Sequence, residues 1–180
     1  MTFSITRRRA VVGGLTALAA CAPWTRSAAS LAAGPRRLSF YHLHTTERLD
    51  IVYREHGELV PDALAAIDHL LRDFRTGEAH PIDVNLLDTL AVLFDAFGQR
   101  GRFEVISGYR SPRTNEALRR STTGVAKDSW HMSGRAIDVR LTSVPTTALR
   151  DTAIALARGG VGYYAESNFV HLDTGKVRAW

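Results

Sequence analysis

The chain has a single cysteine, Cys21, so no disulfide can form within it. Packing alone must hold it together. It also lacks a long apolar run. The most hydrophobic stretch, Ala10 to Ala20, is too short to cross a membrane as a stable helix. No Gly-x-Ser-x-Gly segment occurs, which removes the strand–turn–helix elbow that carries many serine nucleophiles. Ser129 and Ser133 are therefore read as polar loop residues. There is no internal repeat and no low-complexity tract. The formal net charge of +5 is also less than it seems. Residues 1–33 hold Arg7, Arg8, Arg9 and Arg26 and no acid, and the rest of the chain has 19 basic against 18 acidic residues. No basic stripe with interleaved aromatics remains, which argues against nucleic acid as a partner. What is present is 180 residues, 45% hydrophobic, enough for one domain with a buried core.

The excess charge belongs to a leader. Thr6-Arg7-Arg8-Arg9 precedes the apolar run, and small residues follow. A positive segment, a short apolar segment and a small-residue zone make a secretory signal. Paired arginines before a weakly hydrophobic run resemble a twin-arginine signal, which exports folded proteins. Leu18-Ala19-Ala20-Cys21 resembles a lipobox, in which Cys21 would be the acylated first residue and a lipid anchor. Cleavage further on, near Ala29 or Ala33, would instead remove Cys21. Both readings give an exported, periplasmic protein with no transmembrane segment in its mature form, and residues 34–180 as the working domain.

Within that domain, Leu38 to Thr45 alternates and predicts a strand, with Leu49 to Arg54 as its partner and a turn at His56-Gly57. Leu64, Ile67, Leu70, Leu71 and Phe74 recur at helical spacing after Pro61. Leu86, Leu87, Leu90, Leu93, Phe94 and Phe97 predict a second helix, with Asp83 as N-cap and Gly98 as its stop. The second half is richer in strands: Phe103 to Ile106, Ala136 to Leu141, Val161 to Tyr164 and Phe169 to Leu172, with Val177 to Trp180 as an extension of the sheet. Helices are expected at Arg113 to Arg120 and Pro145 to Arg158. Helices early, strands late and few βαβ signals predict an α+β fold with a largely antiparallel sheet.

Chemistry concentrates in Ser129-Trp130-His131-Met132-Ser133-Gly134-Arg135-Ala136-Ile137-Asp138. His131 precedes a predicted strand and Asp138 lies within it. His171 sits in a later strand. Two imidazoles and one carboxylate are a donor set suited to zinc with one coordination position left open, as hydrolysis requires. The spacing itself does not bring His171 to the other two; the fold must. Hydrogen-bonded loop histidines are the plain alternative. His42 and His44 share one strand face and either approach such a site or pack as ordinary core. Tyr109, Trp130, Tyr163 and Tyr164 line a cleft or belong to the core.

These residues carry a resemblance. Ser129-x-His131-x-x-Gly134-x-Ala136-x-Asp138 with a downstream strand histidine resembles the zinc peptidases of the lysostaphin, D-Ala-D-Ala peptidase and hedgehog group. More closely, the chain resembles the YcbK-like murein endopeptidases, through Val105 to Pro112, the His131 motif, Gly160 to Tyr164, Asn168 to Gly175 and Leu70 to Glu78. The resemblance implies zinc on His131, Asp138 and His171. It implies a small antiparallel sheet with helices on one face and the metal on the other. It implies hydrolysis of peptide cross-links in peptidoglycan, with stem peptides as the partner. A monomer is expected. Arg110 matches an arginine that lies near the scissile carbonyl in related dipeptidases. Those dipeptidases carry a glutamate three residues before the last histidine, and here that residue is Asn168. Asp173 shares the strand face of His171, whereas Glu166 does not. Asp173 is therefore expected to be the general base, or else a group that orients a ligand, while a turn at Asp173-Thr174-Gly175 is the alternative. A zinc-binding module without catalysis and a carboxypeptidase on stem peptides are the rival functions.

Overall fold

In a computed structural model, the described residues are 34–122 and 124–180. The leader, the twin-arginine-like motif and Cys21 lie outside them. Among the described residues, eight strands and four helices follow in this order: β1 (Arg36–His42), β2 (Arg48–Glu55), β3 (Glu58–Leu59), α1 (Pro61–Leu70), α2 (Val84–Ala96), β4 (Phe103–Ser107), α3 (Pro112–Ser121), β5 (Ala136–Leu141), α4 (Thr146–Leu156), β6 (Gly160–Tyr164), β7 (Phe169–Asp173) and β8 (Arg178–Ala179). A 3-10 turn, Trp130–Ser133, precedes β5. The strands form one sheet in the order β3-β2-β1-β4-β5-β7-β6-β8.

The fold is α+β, and most neighbours in the sheet are antiparallel. The sheet is wider than the small one expected, and it is mixed, because β1 runs parallel to β4 and β6 parallel to β8. The first of these follows from the chain path. Between β2 and β4 the chain spends α1 and α2 on one face, and such a crossover returns a strand parallel to an earlier one.

Alternation along the strands divides the sheet into a core face and a working face. Ile137 and Val139 of β5 and Val170 and Leu172 of β7 are buried in the core with Leu38, Phe40, Phe103 and Val105. Helix α2 brings Leu86, Leu87, Leu90 and Leu93 to that core, and α4 brings Leu149. Asp83 caps α2 as expected, its side chain accepting from the Asn85 N–H. Helix α3 differs. Its only buried residues are Thr114 and Asn115, so it is held by polar contacts beside the core.

Helix α1 ends at Leu70, short of the periodic pattern that reaches Phe74. The cause is Asp73. Its backbone carbonyl accepts from Thr76 and Gly77, and its carboxylate accepts from the Arg75 N–H, closing a turn. Phe74 swings out and stacks on His44, ring centroids 4.0 Å apart. His42 ends β1 and is fully buried. Its Nδ1 accepts from the His44 and Thr45 N–H groups, and its Nε2 has no partner among the described residues. The pair thus pack around Phe74 and shape the β1–β2 turn.

Burial first, then the neighbouring His44 and Arg72, lower the His42 pKa from 6.5 to about 4, with Glu47 opposing. A depressed pKa means the folded state binds fewer protons than the unfolded chain. The contribution is complete above the unfolded pKa and is lost as pH falls through the folded one. Urea unfolding should therefore show wild type losing roughly 2–3 kcal/mol more than His42→Gln between pH 7 and pH 4.5. Parallel losses in the two proteins would rule this out.

Candidate metal centre

Strand register assembles the centre. Asp138 of β5 and His171 of β7 are cross-strand partners. Both point to the working face because their neighbours Ile137, Val139, Val170 and Leu172 fill the core. His131 arrives from the 3-10 turn just before β5. Gly134 closes that turn in the left-handed region, φ 65°. A Cβ there would also run into the Pro81 carbonyl, so the bend admits glycine and little else.

One donor atom from each of His131, Asp138 and His171 lies within 4.8 Å of the others. The ring nitrogens are sorted by their outer partners. His131 Nδ1 lies 2.7 Å from the Gly108 carbonyl oxygen. A carbonyl only accepts, so Nδ1 carries the hydrogen and Nε2 presents its lone pair to the centre. His171 Nε2 lies 3.1 Å from Asp173 Oδ2, and its Nδ1 lies 2.8 Å from Asp138 Oδ1. His131 Nε2 is 3.3 Å from His171 Nδ1 and 3.3 Å from Asp138 Oδ2.

Electrostatics agree with a cation site. Burial disfavours a charged His171, but hydrogen bonds to Asp138 and Asp173 outweigh it and raise its pKa to about 9. Burial works against an ionised Asp138 too, yet His131 and His171 hold its carboxyl far below the usual carboxylate range. The space between these groups demands positive charge, whether a proton or a metal. The donor set fits a metal: two lone-pair nitrogens and a carboxylate converge, and the outer nitrogen of each ring is already engaged.

The centre lines a cleft of about 650 Å³, whose walls include Arg110, Asp128, Trp130, Tyr164, Phe169 and Trp180. Arg110 stands beside the centre with Nη2 3.8 Å from Asp138 Oδ2. Its Nη1 reaches Asn115 Oδ1 at only 3.5 Å, and its buried Nε has no partner among the described residues. The Arg110 loop is fixed from behind by Asp73, whose Oδ2 accepts from the Ser111 N–H at 2.9 Å and the Ser111 hydroxyl at 2.7 Å.

The other residues singled out in the sequence divide between cleft and scaffold. Ser129, Trp130 and Tyr164 line the cleft, whereas Tyr109 is buried against His80 and Tyr163 packs on the core. Asn168 adopts a left-handed turn, φ 52°, and accepts from the Thr146 hydroxyl at 2.8 Å. Glu166 is exposed in the same turn. Asp173 has a buried side chain and lies behind His171, with Gly160, Gly175 and Arg178 also donating to it. Burial would raise its pKa, but the bonds from His171 and Arg178 hold it far below the ordinary range.

Four contributors escaped sequence reasoning. The Gly108 carbonyl leaves no trace in a side-chain pattern. Asp73 and Ser111 lie in two of the stretches that carry the family resemblance, but neither residue type signals a role there. Arg178 could have been suspected only from its place beside the last strand.

Comparison with known proteins fits this geometry. Residues 30–180 match the family described as peptidoglycan L,D-endopeptidase MepK. The protein of Escherichia coli K12 named peptidoglycan L,D-endopeptidase MepK is 37% identical over 179 residues, 99% of this chain and 98% of its own length. A Haemophilus influenzae protein named "Probable peptidoglycan L,D-endopeptidase MepK" is 44% identical over 147 residues, 81% of this chain and 79% of its own.

Asp73→Ala strips the acceptor from two buried Ser111 donors. Urea unfolding should show a loss of about 2–4 kcal/mol, with Asp73→Asn losing less. An unchanged midpoint for Asp73→Ala would contradict this anchoring role.

Proposed function

Because this chain belongs to the peptidoglycan L,D-endopeptidase MepK family, we propose that it is an exported zinc endopeptidase hydrolysing peptide cross-links in peptidoglycan. The observation that carries this reading is the convergence of His131, Asp138 and His171 on the wall of a cleft. Two imidazoles and a carboxylate suit zinc with one position left for water or substrate. Zinc held there would acidify a water to a pKa near 7 and polarise the target carbonyl. The names of the relatives support a bond between an L and a D centre as the one cleaved.

The chain's own residues then have distinct tasks. His131 Nε2, His171 Nδ1 and an Asp138 oxygen would hold the metal. The Gly108 carbonyl and Asp173 keep the hydrogens on the outer ring nitrogens, so that the inner lone pairs stay free. Of the two roles open to Asp173, the orienting one is favoured: Arg178 and two backbone N–H groups already engage its oxygens, and His171 stands between it and the centre. Arg110 keeps N–H groups without strong partners at the cleft, which supports it as the donor to the carbonyl oxygen as negative charge develops there. Trp130, Tyr164 and Phe169 give the cleft apolar surface against which a stem peptide can lie. A leader in residues 1–33 supports export to the compartment where such peptides are found.

The test is digestion of purified sacculi. Zinc-loaded mature protein should release muropeptides, and mass spectrometry of the products identifies the bond. His131→Ala should neither bind zinc nor release them. Intact cross-linked muropeptides after incubation with the zinc-loaded protein would overturn the enzymatic reading in favour of a zinc-binding module.

Arg110→Ala should lower kcat by roughly 10²–10³-fold with zinc still bound. Arg110→Lys should recover little, because an ammonium cannot reproduce the planar fork of donors. A kcat within a few-fold of wild type for Arg110→Ala would remove Arg110 from the mechanism.

A further inference from the structure

Residues 178–180 turn back onto the candidate metal centre. Strand β8 lies parallel to β6 at the edge of the sheet. Two backbone hydrogen bonds fix Trp180: its N–H to the Val161 carbonyl at 3.1 Å, and Tyr163 N–H to its carbonyl at 2.9 Å. Covering an exposed strand edge would explain a backbone strand here. It does not explain where the side chains go.

Arg178 grips Asp173 with two prongs, Nη1 to Oδ1 at 3.1 Å and Nη2 to Oδ2 at 2.6 Å. That Asp173 carboxylate accepts from His171 Nε2. Trp180 sets its indole against the His171 ring, centroids 5.4 Å apart, and its Nε1–H reaches the Tyr164 hydroxyl at 3.3 Å. The Arg178 guanidinium stacks over the same indole at 4.8 Å. Gly162, the β6 neighbour of His171, makes room for this: a Cβ there would sit 2.7 Å from the indole ring. His171 is thus held through Asp173 on its outer nitrogen and flanked by Trp180; the Gly160 and Gly175 N–H groups hold Asp173 Oδ1, and among the described residues Arg178 is the donor that reaches both of its oxygens.

We infer that Arg178 and Trp180 are positioning residues for the metal centre, fixing the ring orientation of His171 so that its Nδ1 faces His131 and Asp138. The inference rests on the zinc-site reading but not on hydrolysis. Neither residue is needed as a ligand. A two-pronged arginine–carboxylate pair restricts the carboxylate in both distance and plane. Outer partners of this kind change metal affinity by roughly 10–100-fold when removed.

The experiment uses full mature chains of wild type, Arg178→Ala, Arg178→Lys and Trp180→Phe. Zinc affinity is read by chelator competition, the visible absorption of the cobalt(II)-substituted protein reports ligand geometry, and melting of the metal-free protein reports the fold. Arg178→Ala should weaken zinc roughly 10–100-fold and alter the cobalt spectrum. Arg178→Lys should restore part of the affinity, since it keeps the charge and loses the fork. Trp180→Phe should keep the ring contact and lose less than Arg178→Ala. If Arg178→Ala does not fold, Arg178→Lys must still show weaker zinc and an altered spectrum. Wild-type zinc affinity and an unchanged spectrum in the Arg178 variants that fold would overturn the inference. Wild type that binds zinc but releases no muropeptide would overturn the hydrolytic reading and leave this one standing, whereas wild type that binds no zinc would overturn both.

Discussion

Two imidazole nitrogens and a carboxylate crowd into one buried space, and their neighbours are arranged around that cluster. His131 and Asp138 are almost wholly buried, and the three donor atoms lie within 4.8 Å of one another. Such a cluster is unfavourable unless a cation neutralises it or hydrogen bonds disperse the charge. The protein engages every outer position and leaves the inner ones facing each other. Gly108 takes the far side of His131, Asp173 takes the far side of His171, and Arg110 stands beside Asp138. Hydrogen bonding that fixes the tautomers in advance is what distinguishes a metal centre from histidines that happen to meet.

The sheet supplies the precision. Asp138 and His171 face each other across β5 and β7, so a slip of one residue would send one of them into the core. Ile137, Val139, Val170 and Leu172 prevent that slip, because each would have to leave the apolar layer formed with α2 and α4. The hydrophobic pattern thus sets the geometry of the donor cluster although its apolar side chains lie on the opposite face of the sheet. The parts not built on strands, His131 and Arg110, are tied instead to each other and to α1. The Arg110 N–H donates to the His131 carbonyl, and the Tyr109 N–H donates to that of Leu71.

Much of this was legible from residue order. Period-two and period-3.6 patterns marked the strands and helices, and Asp83 and Gly98 marked the ends of α2, because those signals are local. The helix expected to run through Phe74 stops at Leu70 because Asp73 closes a turn on Arg75, Thr76 and Gly77 while its other carboxylate oxygen is engaged by the distant Ser111, a partner that no local window contains. The parallel pairings of β1 with β4 and β6 with β8 depend on chain path, which periodicity does not encode. The three ligands were suggested by residue type and by a family resemblance; spacing alone did not require His171 to meet the others. The orienting partners were harder still. One is a backbone carbonyl, and another, Arg178, acts through a carboxylate whose own role was open.

A crystal structure of the zinc-loaded protein, with anomalous scattering at the zinc edge, distinguishes the inner from the outer ring nitrogens. It should show one ion bonded to His131 Nε2, His171 Nδ1 and an Asp138 oxygen at about 2.0–2.2 Å, with Asp173 outside its coordination. Zinc on His171 Nε2, or an Asp173 oxygen among the ligands, would contradict that assignment.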